Sequence, residues 1–296
     1  MPALDVRLYD AFAAAPHGGN VAGVVYAPPD LPTSTLQALA AKLGAPTTGF
    51  VSDLGGGGFT ARFFSPSSEM RMCGHVTVGI FASLLDDGRI GEGGFQLTTG
   101  AGALSILVER IGGGARVTMR QPLPTFDLFA VSPSVVAALL GLSSSDIVST
   151  GAAATGLRHL FVQVAGAAQL ARLRVADDDL RRLCKEVGID TVGVFALRDG
   201  DIIRADLRVR DLCHGVGEPE EAASGTTNGA LGSLLWREGL LCGGAEDGRV
   251  VVVAEQGVEM GRPSRITTRL LVARGEIEAV EVGGAASRRL DGRLYY

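Results

Sequence analysis

The sequence has few of the residues that build metal centres and disulfide frameworks. Its four cysteines and four histidines form no CxxC pair and show no metal-ligand spacing. We therefore predict no bound metal, and we expect free thiols in a reducing compartment. The cysteines are Cys73, Cys184, Cys213 and Cys242.

Long apolar runs and basic stretches are missing as well. No segment has the length of a membrane-spanning helix, about 18 uninterrupted apolar residues, and residues 1–6 do not resemble a signal peptide. The net charge of −5 is spread along the chain, without a basic cluster that would follow a phosphate backbone. These absences predict a soluble, cytoplasmic protein with neither nucleic acid nor a membrane as partner.

The composition is that of a folded globular protein. The chain has 296 residues, of which 46% are hydrophobic and 20% charged, so it is long enough for two domains. Its 42 glycines are about twice the usual share of roughly 7%. Many lie in clusters such as Gly55–Gly58 and Gly112–Gly114, which predict tight turns.

Hydrophobic periodicity predicts that the chain opens with a strand, a loop and a helix. Alternation over residues 4–8 is typical of a half-buried strand. The helix is predicted over 34–43, with a capping box between Ser34 and Gln37 and with Gly44 as its stop.

Further periodic segments lie on both sides of a proline-rich break. Helices are predicted over 74–85, 133–141, 178–187 and 225–236, and strands over 59–64, 104–110, 116–120, 159–164, 193–197, 202–209, 250–254, 266–273 and 277–282. The turn pair within 198–201 predicts a hairpin. The break at 121–124 predicts domains over 1–121 and 122–279, the first either alone or completed by residues 280–296.

One pattern occurs twice: a strand, a loop and a helix that starts with a small nucleophilic residue, glycine and a polar residue. Cys73-Gly74-His75 starts the first such helix and Ser224-Gly225-Thr226 the second. A helix N-terminus offers unpaired N–H groups and the positive end of the helix dipole, so it binds carboxylates well. The repeated pattern indicates a site for a small acid.

Several segments, in order along the chain, resemble the successive signatures of the PhzF-like (phenazine biosynthesis-like) isomerase family. They are Phe12 with Gly18-Gly19-Asn20; Ala61-Arg62-Phe63-Phe64-Ser65-Pro66 with Glu69 and Cys73-Gly74-His75; Glu220-Glu221-Ala222-Ala223-Ser224-Gly225-Thr226 with Gly229-Ala230-Leu231; and Gln256-Gly257-Val258-Glu259-Met260-Gly261-Arg262-Pro263-Ser264. Each segment is weak evidence alone, whereas the ordered set is specific.

The resemblance implies an α+β protein of the diaminopimelate-epimerase fold. Two similar domains are expected, each a central helix wrapped by a bent mixed sheet and related by pseudo-twofold symmetry. A cofactor-free site is expected in the cleft between them, and family members are often homodimers. The best understood member shifts a hydrogen in a dihydroxyanthranilate-type acid on the way to phenazines, so the resemblance also implies a small acidic, unsaturated substrate.

Carried over residue by residue, the resemblance leaves one gap. The family's catalytic histidine falls on His75, its aspartate on Glu221 and its serine on Thr226, whereas Thr47 stands where the family has its proton-transferring glutamate. A threonine hydroxyl is far too weak a base near neutral pH. We expect His75 to replace the glutamate, then Glu221, whose pKa a cleft could raise, and then Cys73.

The same resemblance suggests a set of substrate-binding residues. These are Gly18, Gly19, Asn20, Glu69, Gly74, Ser224, Gly225 and Thr226. Glu69 could equally form a structural ion pair, and Cys73 could be a buried helix-start residue. We interpret His17, His159 and His214 as structural, although His214 precedes the second helix and could face the cleft.

The sequence therefore favours an isomerase that shifts a proton and a double bond in a small unsaturated carboxylic or amino acid. Because the glutamate is missing, we expect a substrate other than the phenazine precursor, in bacterial secondary metabolism, for example a precursor of 4-alkylproline antibiotics. One alternative is an amino-acid racemase or epimerase that uses Cys73. The other is a catalytically silent homologue that binds a small acid or a protein.

Overall fold

The computed structural model describes residues 3–14, 18–112, 114–197, 206–241 and 247–296. By its internal contacts the chain divides into two compact units. The first comprises Met1–Arg120 with Gly283–Tyr296, and the second comprises Gln121–Val282. His17, Gly113, Cys242 and the predicted hairpin turn over 198–201 lie outside the described residues.

The helices include the two that the sequence analysis singled out. They are α1 (Thr33–Leu43), α2 (Gly74–Asp86), α3 (Pro133–Leu139), α4 (Ala167–Ala171), α5 (Asp177–Val187) and α6 (Gly225–Arg237). The helices predicted over 74–85 and 225–236 are confirmed to within one residue. Within the described ranges, no helix is both long and apolar enough to cross a membrane.

The start of α1 differs from its prediction. The capping box between Ser34 and Gln37 is wrong, because Pro32 is the N-cap and, among the described residues, no side chain caps the helix. Gln37 Nε2 instead donates to the carbonyl of Ser65 at 2.9 Å, which ties α1 to a loop elsewhere in the first unit. The predicted stop is confirmed, since Gly44 adopts the left-handed conformation at φ 70°.

Strands make up most of the remaining structure. They are β1 (Ala3–Ala11), β2 (Asn20–Tyr26), β3 (Thr47–Gly55), β4 (Gly58–Phe64), β5 (Glu69–Met70), β6 (Gly93–Thr99), β7 (Gly102–Ile111), β8 (Gly114–Gln121), β9 (Thr125–Phe126), β10 (Ile147–Ala154), β11 (Arg158–Val164), β12 (Thr191–Leu197), β13 (Asp206–Leu212), β14 (Arg249–Gln256), β15 (Ser264–Ala273) and β16 (Glu276–Tyr295).

The sheet of the first unit closes around α2. Its strand order is β1-β2-β3-β4-β6-β7-β8-β16, and β16 pairs with β1 to complete the circuit. The pairs β2–β3 and β4–β6 are parallel, and helices α1 and α2 lie in the connections between their strands. Residues 75–85 of α2 are all buried, so this helix is the core of the unit.

The second unit has a mixed sheet in the order β16-β15-β14-β13-β12-β11-β10-β9, with helices on both faces. Strand β11 shows the alternation: Leu160 and Val162 belong to the apolar cluster with α3, α4 and α5. The intervening Phe161 lies beside Gly193 and the Thr227 side chain of α6. Side chains on the same face of this sheet as Phe161 therefore lie next to the start of α6.

Candidate active site

The start of α2 brings three predicted site residues together. Cys73 is the N-cap and is extended, at φ −143° and ψ 116°. Its Sγ lies 3.4 Å from His75 Nδ1 and 3.7 Å from His75 Nε2. Asn20, the first residue of β2, places its Nδ2 3.2 Å from the same Nδ1. Asn20, Cys73 and His75 are thus neighbours within the first unit.

The Asn20 contact holds the ring of His75 in place. The histidine is buried, with 4% of its surface exposed, so its ring has little freedom to turn. Asn20 and Cys73 both contact Nδ1, so these two neighbours set the position of the ring.

Strained backbone at Phe12 and at Gly19 precedes Asn20, which contacts the start of α2. Phe12, a buried residue, has a positive φ of 63°, and Gly19 follows at φ 77°. A Cβ at Gly19 would lie 2.5 Å from the carbonyl oxygen of Ala11, so only glycine fits there. Gly18 and Gly19 directly precede Asn20, which pairs with Ala11 in the antiparallel β1–β2 ladder. A positive φ at a residue other than glycine, as at Phe12, is a strain that is typical of functional sites.

Thr47 and Glu69 have different surroundings from His75. Thr47 starts β3 and is 5% exposed, and its hydroxyl points to the sulfur of Met70 at 3.9 Å. Glu69 is exposed and accepts two hydrogen bonds of 2.7 Å from Arg62. This guanidinium lowers the pKa of Glu69, so the carboxylate stays ionised. The geometry favours the ion-pair interpretation of Glu69 over a proton-transfer role.

The start of α6 repeats the backbone of the start of α2. Ser224 is the N-cap at φ −134° and ψ 120°, and its Oγ accepts from the backbone N–H of Thr227. Gly225 begins the helix, and the Thr226 hydroxyl lies 3.2 Å from Ser224 Oγ. Both helices have 13 residues. The hydroxyls of Ser224 and Thr226 thus stand together at a helix N-terminus that suits an anion.

Two buried side chains hold the loop before α6. Gln256 Nε2 donates to the carbonyl of Glu221 at 2.8 Å, and Asn228 Nδ2 donates to Gln256 Oε1 at 2.8 Å. Ser264 Oγ donates to the carbonyl of Ala222 at 2.6 Å. The family-like segment that contains Gln256 and Ser264 therefore positions Glu221, a role that the sequence analysis did not assign.

Glu221 belongs to an acidic cluster that the sequence analysis missed in part. Asp211 on β13 is fully buried, and the Thr227 hydroxyl donates to its Oδ2 at 2.7 Å. A ligand atom from each of Asp211, Cys213 and Glu221 lies within 4.8 Å of the other two. Among the described residues, these are the side chains with the spacing to hold a metal ion.

Burial dominates the protonation of this cluster. Desolvation raises the pKa of Asp211 to about 6, although the hydrogen bond from Thr227 opposes the shift. Desolvation and then the charge of Asp211 raise the pKa of Glu221 to about 8. Burial also raises the pKa of the Cys213 thiol. Glu221 is therefore a carboxyl group that holds or releases a proton near neutral pH.

A sequence signal for Asp211 exists. Leu207, Val209 and Asp211 share one face of β13 by the two-residue period of a strand, and all three are buried. An acid that continues an apolar face must have a compensating partner or a raised pKa. The alternation in 207–211 could therefore have pointed to Asp211.

The remaining described histidines have local partners. His159 Nδ1 lies 2.7 Å from the Thr191 hydroxyl, and burial lowers the pKa of His159 to about 3. His214 Nε2 lies 2.9 Å from Asp177 Oδ1. Both contacts fit structural roles.

The family follows from a match that spans both helix starts. The phenazine biosynthesis-like protein family matches residues 9–292. The chain belongs to the PhzF family. The solved PhzF-family phenazine biosynthesis protein of Bacillus anthracis covers 100% of this chain and of its own, with a TM-score of 0.88 and 25% identity. The fold of this family member is therefore the PhzF fold.

Curated relatives of this PhzF-family chain are named isomerases. An uncharacterized isomerase of Deinococcus radiodurans is 34% identical over 95% of this chain and 92% of the relative. The trans-2,3-dihydro-3-hydroxyanthranilate isomerase of Pseudomonas aeruginosa is 31% identical over 97% of both chains. The matches cover nearly the whole length of each relative.

Proposed function

We propose that this PhzF-family chain is an isomerase that moves a proton, and with it a carbon–carbon double bond, within a small unsaturated carboxylic or amino acid. Family membership and the names of its relatives support the reaction class. The observation that carries the proposal is the buried imidazole of His75, held by Asn20 and Cys73 at the start of α2.

The proposed reaction needs no oxidant or co-reactant. His75 takes a proton from one carbon, the electron pair of that C–H bond forms the new double bond, and the old double bond becomes the carbanion-like centre. The imidazolium then returns its proton to a different carbon. Proton transfer by a positioned side chain of this kind contributes on the order of 10²–10⁴-fold to the rate.

Each helix start, taken by itself, supports an acidic substrate. The backbone N–H groups that follow Cys73 and Ser224, together with the hydroxyls of Ser224 and Thr226, favour a carboxylate. Thr47 in place of the family glutamate supports a substrate other than the dihydroxyanthranilate, such as a precursor of 4-alkylproline antibiotics in bacterial secondary metabolism. A cytoplasmic homodimer remains part of this proposal.

The alternative of a racemase that uses Cys73 has one supporting observation. The Cys73 sulfur is 3.4 Å from His75 Nδ1, close enough for the imidazole to take the thiol proton. The corresponding residue at the start of α6 is Ser224, and a two-thiol racemase would have cysteine there. The arrangement therefore favours the isomerase.

Substitution of the histidine tests the proposal. We expect His75→Gln to lower turnover at least on the order of 10²-fold, measured as an ultraviolet change on a panel of conjugated carboxylic and amino acids. His214→Gln is the matched control, since His214 pairs with Asp177, and it should keep turnover within about twofold. Nearly unchanged turnover in His75→Gln would remove His75 from the reaction.

A further inference from the structure

The two units differ at the C-terminal ends of their central helices, α2 and α6. In the first unit, the Tyr26 hydroxyl on β2 lies 2.6 Å from the Ser83 hydroxyl of α2. Arg7 on β1 reaches Asp87, the C-cap of α2, at 3.4 Å, and its guanidinium lies 5.9 Å from the centre of the Tyr26 ring. Two large side chains thus occupy the space between these strands and the end of α2.

Strand register identifies the counterparts of these side chains in the second unit. The parallel ladders β2–β3 and β11–β12 each have five pairs, with a glycine of β3 or β12 in the third. Tyr26 and Gln163 stand in the fifth pair of their ladders. Arg7 on β1 and Gly151 on β10 each pair with the residue that opens the third. The second unit therefore has glutamine in place of the tyrosine and glycine in place of the arginine.

The first unit is also closed by a longer strand pairing than the second. Strand β16 pairs with every residue of β1, Ala3–Ala11. In the second unit, β9 pairs with Ala153 and Ala154 of β10, and Asp127 follows β9 with a positive φ of 54°. Among the described residues, 147–152 of β10 therefore have a strand partner on the β11 side alone.

A cavity of about 430 Å³ lies at this position in the second unit. It is lined by residues of β10, β11, β12, the end of α6 and the segment after β9. Its volume lies within the usual range of small-molecule sites, about 300–1,000 Å³. Most of the lining is apolar and includes Phe129, Val131, Leu160, Phe161, Phe195 and Leu234.

Gln163 supplies a directional polar group in this cavity. The residue is 9% exposed, and its Oε1 accepts from the Ser149 hydroxyl at 2.9 Å. Its Nε2 has no hydrogen-bond partner among the described residues, although an amide nitrogen carries two donor hydrogens. A buried donor without a partner is unfavourable. A ligand oxygen in the cavity would supply the missing acceptor.

The charged residues of the lining favour a neutral ligand over an anion. Arg237 is the one cation among the described lining residues. It donates to both oxygens of Asp127, at 2.6 and 2.9 Å, and to Glu238 at 2.9 Å. Two carboxylates thus engage one guanidinium, so an anionic ligand would meet an excess of negative charge.

We propose that this cavity binds a neutral small molecule that combines an aromatic or branched apolar group with a carbonyl oxygen, such as an aromatic amide or ketone. Gln163 Nε2 donates to that oxygen, and the apolar lining contacts the rest of the ligand. The cavity is distinct from the start of α6, since Leu234 lies nine residues after Gly225, about 14 Å along the helix. This inference goes beyond the isomerase reaction and does not depend on it.

A titration with benzamide, followed by methyl NMR, tests the proposal. The methyl groups of Val131, Leu160 and Leu234 are observed in ¹³C-methyl-labelled protein. We expect saturable shifts of these signals, with a Kd in the millimolar range or below, and no shift of Leu39, which lies in a core cluster of the first unit. If the cavity methyls show no saturable shift, the proposal is overturned without recourse to any variant.

Two substitutions of Gln163 test its role. Gln163→Leu should weaken benzamide binding about 3- to 10-fold, the scale of one hydrogen bond. Toluene has no oxygen, so its binding should not weaken. Gln163→Tyr brings in the residue type of Tyr26 and fills the cavity, so it should abolish the shifts with both ligands. Unchanged benzamide affinity in a folded Gln163→Leu chain, or persistent shifts in a folded Gln163→Tyr chain, contradicts the proposed contact.

Controls separate this cavity from the candidate active site. Thr226→Ala removes a hydroxyl at the start of α6 and should leave the benzamide shifts unchanged. Loss of the shifts in Thr226→Ala but not in Gln163→Leu would place the probe at the start of α6 and overturn the second site. Benzoate has nearly the shape of benzamide and a negative charge, so it should bind the cavity several-fold more weakly. Tighter binding of benzoate at the cavity methyls would overturn the neutral ligand class.

Discussion

At the scale of the residue, the account depends on how two side chains are held rather than on their identity. His75 has its ring held by Asn20, and burial together with the neighbouring Asp211 raises the pKa of Glu221. In both cases a neighbour that is distant in sequence decides what the side chain can do. The sequence motif supplies His75 and Glu221, and the fold supplies their partners.

The acidic pair predicts a particular pH dependence of stability. The folded-state pKa values of Asp211 and Glu221 are raised, to about 6 and about 8, above the ordinary values of 3.8 and 4.5. The folded state therefore binds more protons than the unfolded state between about pH 4 and pH 8. Across this range the pair lowers the free energy of unfolding as the pH rises.

Replacement of one acid should remove part of this dependence. From pH 5 to pH 8.5, the free energy of unfolding of Asp211→Asn should rise by on the order of 1 kcal/mol relative to that of wild type. Urea unfolding of both chains at both pH values measures this change. The buried His159 titrates in both chains, so its contribution cancels in the comparison. Asp178→Asn, at a side chain 92% exposed, should show no such change. If the free energy of unfolding of Asp211→Asn differed from that of wild type by the same amount at both pH values, the raised pKa of Asp211 would be contradicted.

At the scale of the element, glycines allow the central helix of the first unit to approach its sheet. A Cβ at Gly79 in α2 would lie 2.7 Å from the Cβ of Ala22 on β2. Such a contact is closer than carbon atoms pack, so either the helix or the strand must move. Because His75 and Asn20 lie at the starts of these same elements, the spacing of α2 and β2 also sets their contact.

Filling this space should destabilise the first unit. Gly79→Ala should lower the free energy of unfolding by about 1–3 kcal/mol, the usual cost of overpacking, despite the better helix propensity of alanine. Gly91→Ala is the matched control, because no atom of the part of the chain that the structure describes lies within 4 Å of its added Cβ. Urea unfolding of both variants decides the matter. A Gly79→Ala chain as stable as Gly91→Ala would show that α2 and β2 are not closely packed.

Elements that the sequence predicted and those it missed differ in composition. Helices α2 and α6 each start with a small residue, a glycine and a polar residue and continue with apolar residues, and both were predicted to within one residue. Strand β2 was missed because it is buried on both faces and lacks alternation, and β10 because it ends in glycine and alanines. The capping box of α1 failed because Gln37 found a tertiary partner in Ser65, which local spacing does not reveal.

The candidate site shows the same limit. Cys73, His75 and Ser224 could be predicted as site residues from the sequence because they stand at the starts of predicted helices. The sequence analysis missed Asp211 because this residue is brought to Glu221 by a β-bridge, and such a pairing is seen only in the structure. The bracing of the Glu221 loop by Gln256 depends on the fold in the same way.

At the scale of the whole molecule, two units carry the same local arrangement with different chemistry. Each has an arginine–glutamate pair, a strand bridge and a buried helix with an extended N-cap. The first unit adds an imidazole beside a thiol, and the second adds a carboxyl pair beside two hydroxyls. Each unit therefore has acid–base groups next to the start of its buried helix.

The measurement that tests this account most directly is hydrogen exchange with solvent during turnover. Wild type, His75→Gln and Cys73→Ser are incubated in heavy water with the panel of unsaturated carboxylic and amino acids, and the products are examined by mass spectrometry. We predict deuterium in a double-bond isomer, formed by wild type and Cys73→Ser and slowed at least on the order of 10²-fold in His75→Gln. Exchange into an amino acid without movement of a double bond, abolished by Cys73→Ser but not by His75→Gln, would contradict the account.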